Sequence, residues 1–307
     1  EHIPVQLHEL TAWQLAEQLR KREVSATEAV HACFDRIAAV EDRVQAFVCL
    51  TREQALRQAA EVDRRRHAGE DLPPMAGVPI GQKDLLCTDG VATTCCSKIL
   101  RDFVPPYDAT VIERCNAAGL PMLGKTNMDE FAMGSSTENS AFQVTANPWN
   151  LACVPGGSSG GSAACVAAGE AFWALGTDTG GSIRQPASLC SLVGMKPTYG
   201  RVSRYGVIAY ASSLDQVGPL TKDVRDNALL LGLIAGKDPR DATSADLPVP
   251  NYTEYLGREV KGLKAGVVRE LLYGEGIEPE VRAAIESAVR QLESLGVICE
   301  EVSLPHS

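Results

Sequence analysis

Hydrophobic positions change their period near residue 75. Over residues 8–70 they recur at three- and four-residue spacing, as in Ala29, Cys33, Ile37 and Val40, the stripe of an amphipathic helix. Thr11…Gln14, Ser25…Glu28 and Thr51…Gln54 have the form of capping boxes and predict three helix starts. Asp71-Leu72-Pro73-Pro74 closes this helical layer with a turn. Beyond it, short apolar runs bounded by Gly and Pro predict buried strands at Val78-Pro79-Ile80, Pro121-Met122-Leu123 and Ala171-Phe172-Trp173-Ala174-Leu175. A helix over 108–118, opened by Asp108 and closed by Gly119, is expected between the first two. Near the end the pattern predicts a strand from Leu263 to Val268, a charged helix over 278–295 and a strand from Val297 to Val302. Strands alternating with helices predict an α/β fold, a sheet covered by helices on both faces. The expected organisation is one domain, with residues 1–70 as an N-terminal helical layer and 71–307 as the α/β core; no repeats or heptads appear.

Composition narrows the function classes. With 307 residues, 45% hydrophobic and 22% charged, the chain can bury a large core. No apolar run is long enough to span a membrane, and no basic-then-apolar leader stands at the start. Net charge is −10, from 29 basic and 39 acidic residues, a surface that repels a phosphate backbone. Contact with nucleic acid is therefore expected to come through a partner. Ten cysteines, with no C-x-x-C spacing and mostly among small apolar residues, predict reduced packing thiols in a cytoplasmic protein and no metal site. The adjacent pair Cys95-Cys96, beside Thr93-Thr94, stands out among them.

The strongest local anomaly is Pro155-Gly-Gly-Ser-Ser-Gly-Gly-Ser162, four glycines in eight residues, leading into a small-residue run to Gly169. A second loop, Gly176-Thr-Asp-Thr-Gly-Gly-Ser-Ile-Arg-Gln185, follows the third predicted strand. Both lie where open α/β sheets place their ligands. A phosphate-binding loop needs a lysine that neither cluster has. Gly156-Gly-Ser-Ser-Gly160 matches a nucleophile elbow, but that chemistry needs a histidine later in the chain, and only His306 follows the serines. A serine nucleophile with a lysine base remains. The lysine must be neutral, and lowering its pKa to about 7–8 takes about 3–5 kcal/mol of desolvation and local field. Lys83, Lys125 and Lys196 each follow an apolar run, and spacing does not choose among them.

The two Gly/Ser loops resemble the amidase signature family. So do Gly77-Val-Pro-Ile-Gly-Gln-Lys-Asp84, Gly124-Lys-Thr-Asn-Met128 and Asn147-Pro-Trp149, in family order. The resemblance is close over residues 75–225. It implies the amidase signature fold, a mixed central sheet covered by helices. It also implies that Lys83 is the base, Ser158 a bridging serine in a cis peptide and Ser182 the nucleophile, with no metal. Backbone N–H groups of Thr179, Gly180 and Gly181 are expected to hold the oxyanion, since Gly leaves them unobstructed. Lys125 and Lys196 then become structural, Ser159 an N-cap, Trp149 and Trp173 packing residues, and Asp178 with Arg184 a charge pair shaping the loop.

Two further stretches, Asn127 to Asn139 and Arg201 to Thr221, resemble one branch of that family, the glutaminase components of tRNA-dependent amidotransferases. The resemblance implies glutamine hydrolysis to ammonia and two partners, the B and C components of the amidotransferase. It places tRNA mainly on the B component, together with ATP and Mg; no cofactor is expected in this chain. Family chains run past residue 307, so 71–307 is expected to be a core cut at its C-terminal end, holding the relay but an incomplete glutamine pocket. Arg204 and Tyr205 are candidates near the site, and no substrate-binding residue is otherwise assigned. The competing readings are a free-standing amidase with the same relay and a non-catalytic binding protein, against which intact Lys83, Ser158 and Ser182 stand.

Overall fold

The structure, a computed structural model, describes residues 6–305. The helical layer forms because apolar stripes and caps coincide. Helices α1 (Ala12–Lys21) and α2 (Ala26–Val44) open with the capping boxes of Thr11 and Ser25. Their first amides are also held from afar: Ala12 and Trp13 donate to the Asp226 carboxylate at 2.7 and 2.8 Å, Ala26 and Thr27 to that of Asp63 at 2.8 and 3.0 Å. A strand, β1 (Phe47–Leu50), interrupts the stretch that reads as helical throughout. Helix α3 (Arg52–His67) has Thr51 at its start, but the third expected box is not made. The Thr51 hydroxyl instead donates to Met122 O at 2.7 Å, pinning the helix to a strand of the sheet.

The core elements are β2 (Ile80–Lys83), α4 (Thr110–Ala117), β3 (Met122–Thr126), α5 (Gly160–Ala167), β4 (Trp173–Asp178), α6 (Arg184–Leu189), β5 (Val193–Gly194), β6 (Gln216–Thr221) and α7 (Val224–Ile234). Helix α4 starts later than its sequence suggests. Asp108 is not its cap but accepts from the Asp89 amide at 2.7 Å, and the N-cap position is Ala109. Strands β3 and β4 begin within the predicted runs at 121–123 and 171–175, but β2 only starts at Ile80, the last residue of the run at 78–80, and continues through Gly81 and Gln82 to Lys83. The sheet order is β1-β3-β2-β4-β6-β5. The central strands β3, β2 and β4 run parallel, while β1, β6 and β5 pair antiparallel to their neighbours, so the sheet is mixed and flanked by helices. Side chains of α1, α2 and α3 join the sheet's residues in one hydrophobic core.

The parallel pair β2–β4 positions the chemistry. Gln82 lies beside Leu175, so the carboxyl ends of both strands emerge together, with Lys83 on one and Thr177 on the other. Helix α5 packs over both strands, and its first turn lies against the chain where β1 begins and β3 ends: a Cβ at Gly161 would clash with Ala46 O and Asn127 O.

The described chain divides into two compact units, one ending at Glu254 and one beginning at Tyr255. The second contains β7 (Lys264–Val268), α8 (Arg269–Leu272), α9 (Pro279–Ser294) and β8 (Ile298–Val302). Here β7 and β8 form their own two-stranded parallel sheet, Lys264 opposite Ile298. Among the described residues no helix is long and apolar enough to cross a membrane, and no cluster of potential metal ligands occurs. All ten cysteines are free.

Candidate active site

Lys83 ends a strand whose four residues are all buried, and its own side chain is wholly shielded from water. Nζ sits 2.8 Å from each of three hydroxyls, those of Ser158, Ser159 and Thr177. Burial is the largest influence on the amine and lowers its pKa to about 7, against the opposing pull of Asp129, Cys95, Cys96 and Asp178. An amine in this setting is available as a base near neutral pH.

Ser158 and Ser159 lie in the loop that enters α5, and the Gly157–Ser158 peptide is cis. Ser159 occupies the N-cap position, yet its hydroxyl makes no cap. It accepts from Lys83 and from the Thr177 amide at 3.2 Å and donates to Thr177 O at 3.0 Å. The capping role expected of Ser159 therefore gives way to a seam between the α5 loop and β4. Gly157 must lack a side chain here, because a Cβ would run into Asp129 Oδ2. Gln185 clamps the same loop, accepting from the Gly157 amide and donating to Ser135 O, both at 2.9 Å.

Ser182 lies in the turn between β4 and α6. Its carbonyl accepts from the Ser159 amide at 3.2 Å, which brings the two serine segments together. Among the described residues the Ser182 hydroxyl makes no hydrogen bond, and the residue lines a cavity of about 260 Å³ with Gly157, Gly180, Gly181, Gln185 and Tyr210. The Lys83 amine is thus bonded to Ser158, and the Ser182 segment is tied to the same loop through the Ser159 amide, with the Ser182 hydroxyl free at the cavity.

Asp178 shapes the turn. Its buried carboxylate accepts from the amides of Gly181, Ile183 and Arg184 at 2.8, 3.2 and 3.2 Å, and bidentately from the Arg184 guanidinium at 2.9 and 3.0 Å. Burial pushes the carboxyl upward, but these hydrogen bonds outweigh it and hold Asp178 below the usual range. The expected charge pair is present. One consequence corrects the oxyanion assignment: the Gly181 N–H is committed to Asp178 Oδ1, so it does not point at a ligand. Thr179 and Gly180 keep amides that are unbonded among the described residues, and nothing approaches the Gly180 Cβ position. The Thr179 hydroxyl donates to Asp215 at 2.6 Å, which fixes this side of the turn.

Other candidates lie elsewhere. Lys125 is equally buried and its pKa is lowered by burial, but its ammonium serves Leu86 O, Thr88 Oγ1 and Thr93 Oγ1, with the last two at 3.0 and 3.1 Å. Lys196 donates to Pro197 O. Arg204 and Tyr205 line a different cavity, of about 340 Å³, where Arg204 is held by Asp241 and Thr243. Trp173 is in the core; Trp149, expected to pack, is 70% exposed and anchored by its indole N–H on Cys190 O. Cys95 and Cys96 are buried in a loop folded around Asp84, which accepts from the amides of Thr94 and Cys96. His306 lies outside the described residues. Thr177 is absent from the residues that sequence reasoning singles out; its one signal is a polar side chain that, with Asp178, ends a buried strand whose earlier residues are apolar or Gly.

Comparison with known proteins gives a consistent picture. The Amidase family model matches residues 28–307. The A subunit of glutamyl-tRNA(Gln) amidotransferase from Moorella thermoacetica is 63% identical over 303 residues, covering 99% of this chain and 62% of that protein. The like-named protein of Geobacillus thermodenitrificans is 58% identical over 301 residues, 98% of this chain and 62% of the relative. Among solved structures, the A subunit of glutamyl-tRNA(Gln) amidotransferase from Thermotoga maritima superposes with a TM-score of 0.85 at 42% identity, over 100% of this chain and 64% of that one. The peptide amidase of Stenotrophomonas maltophilia gives 0.89 at 36% identity, over 97% and 62%. The chain thus spans a little over three fifths of the relatives it matches.

Proposed function

We propose that this chain, which belongs to the amidase family, is the catalytic part of the glutamine-hydrolysing component of a tRNA-dependent amidotransferase. The observation that carries the chemistry is the fully buried Lys83 amine, ringed by three hydroxyls at 2.8 Å. The identity to the amidotransferase relatives supports the substrate and the assembly.

In this reading the Ser182 hydroxyl turns toward Ser158 and gives up its proton as its oxygen attacks the glutamine side-chain amide. Ser158 passes a proton to the neutral Lys83 amine in the same event. The amides of Thr179 and Gly180 receive the charge that develops on the carbonyl oxygen, worth about 2.7–4 kcal/mol for each donor in comparable sites. The proton on Lys83 returns through Ser158 to the departing nitrogen, and ammonia leaves. Water then attacks the acyl-Ser182 ester with the same relay as base, releasing glutamate and regenerating the hydroxyl. In the cytoplasm, the B component would use the ammonia, with ATP and Mg, to amidate glutamate or aspartate mischarged on tRNA, and the C component would hold the pair.

The second reading, a free-standing amidase for another small amide, draws on the peptide amidase likeness. Ammonia release from glutamine by the full-length protein, with and without its partners and mischarged tRNA, separates the two. Strong stimulation by partners, abolished by Ser182→Ala and nearly so by Lys83→Ala, is the expected result. Partner-independent hydrolysis of unrelated amides supports the second reading, and retained turnover in Ser182→Ala removes that residue from its role.

A further inference from the structure

Around Lys83 the number of hydroxyls exceeds the number a neutral amine can serve as donor. A neutral primary amine has two N–H bonds and one lone pair, and three hydroxyls surround it at equal distance. A hydroxyl has one hydrogen to give and two lone pairs to receive. For Ser159 all three are assigned. Its hydrogen goes to Thr177 O at 3.0 Å, one lone pair takes the Thr177 N–H at 3.2 Å, and the other faces Lys83. Ser159 can therefore only receive a hydrogen from the amine.

One N–H and the lone pair remain, to be shared between Ser158 and Thr177. Ser158 can hand on a proton only if it donates into the lone pair, so Thr177 must take the second N–H. The opposite arrangement, with Thr177 donating into the lone pair, leaves the base occupied and Ser158 with nowhere to send its proton. We propose that Ser159 and Thr177 are positioning residues that take the two N–H bonds of neutral Lys83 and so reserve its lone pair for Ser158. This rests on the catalytic reading of Lys83, Ser158 and Ser182 given above. It adds a reason for the chain to bring three hydroxyl-bearing residues to a buried amine that needs only one partner for the chemistry.

The variants Thr177→Val, Thr177→Ser and Ser159→Ala, made in the full-length protein with its partners, test the proposal through the pH dependence of kcat for glutamine hydrolysis. Activity requires the neutral amine, so kcat rises with pH through the Lys83 pKa, about 7, to a plateau. The charged groups that act on that amine are Asp129 and Asp178, with the thiols of Cys95 and Cys96, and none of them is altered. Thr177→Val preserves shape but leaves one N–H without an acceptor whenever the lone pair faces Ser158. The plateau should fall about 10- to 100-fold. The acid limb should also move to lower pH, because an ammonium loses more than an amine when an acceptor is removed. Thr177→Ser should restore both, and Ser159→Ala should lower the plateau similarly, with melting temperatures confirming folded protein.

An unchanged plateau and limb in Thr177→Val overturns the proposal while leaving the relay intact, provided Lys83→Ala is inactive. A lower plateau on an unmoved limb, not rescued by Thr177→Ser, also overturns it, since that is what loosened packing alone produces. An active Lys83→Ala removes the relay itself and the positioning role with it.

Discussion

A single buried amine illustrates what a residue's surroundings decide and what its sequence neighbours do not. Lys83, Lys125 and Lys196 all follow apolar runs, yet one meets serine and threonine hydroxyls, one a carbonyl and two threonines, and one a neighbouring backbone carbonyl. Burial alone does not distinguish Lys83 from Lys125; the chemistry of the partners does. The motif resemblance points to Lys83, but the roles of Ser159 and Thr177 depend on which strands emerge side by side, and no local pattern carries that. Glu170 is invisible in the sequence for the same reason. Its carboxyl is fully buried, neither oxygen receives a hydrogen from a donor, and it lies against Glu41, itself accepting from the Ala46 and Phe47 amides. Burial first, and the neighbouring carboxylate second, raise the Glu170 pKa far above its ordinary 4.5, so the folded protein keeps a proton there that it shares with Glu41. Above the ordinary carboxylate range the unfolded chain has lost that proton and the folded one has not. Stability therefore falls as pH rises from the unfolded value toward the raised one. Glu170→Gln retains a donor without titrating. Its melting temperature should exceed the wild type's near about pH 9 and vary less between about pH 5 and about pH 9. Parallel curves for the two proteins would remove this pair as a source of pH dependence.

At the scale of elements, what was legible followed from period and punctuation. Strands β3 and β4 begin within short apolar runs fenced by Gly and Pro and β2 at the end of one, and the boxes at Thr11 and Ser25 are read directly from spacing. The missed strands lack those signs. β6, Gln216-Val-Gly-Pro-Leu-Thr221, carries a proline that argues against an interior strand, yet it lies between β4 and β5. The contradiction resolves because β5 is only two residues long, paired with Thr221 and Leu220, so the ladder on that side ends before a Pro219 N–H is needed. β1 is hidden inside a helical stretch and shows itself only by pairing with β3. Helix α5 depends on a small residue at its start to lie close to the ends of β1 and β3, where Gly161 meets the Ala46 and Asn127 carbonyls at the position a Cβ would take. Gly161→Ala should therefore destabilise the protein by about 1–3 kcal/mol, against the usual helix-propensity gain from Ala, in a chemical denaturation experiment. A stabilised variant would mean that α5 can move off the sheet at little cost, and that the Ser158–Ser159 loop is less rigidly held than its hydrogen bonds indicate.

At the scale of the molecule, the catalytic candidates all belong to the unit ending at Glu254, and the acidic balance of the chain, −10, disfavours contact with a phosphate backbone. The helical layer, the mixed sheet and the two Gly/Ser loops serve one arrangement: two parallel strand ends and a helix entrance that exclude water from an amine and bring the Ser158 and Ser159 hydroxyls to it. The most direct measurement of that arrangement is chemical. Full-length protein turning over glutamine with its partners is quenched in acid, digested and examined by peptide mass spectrometry. The account predicts a γ-glutamyl ester on the Ser182 side chain, absent from Ser182→Ala and formed far more slowly in Lys83→Ala. An acyl group found on Ser158 or on a cysteine, or undiminished turnover in Ser182→Ala, would contradict it.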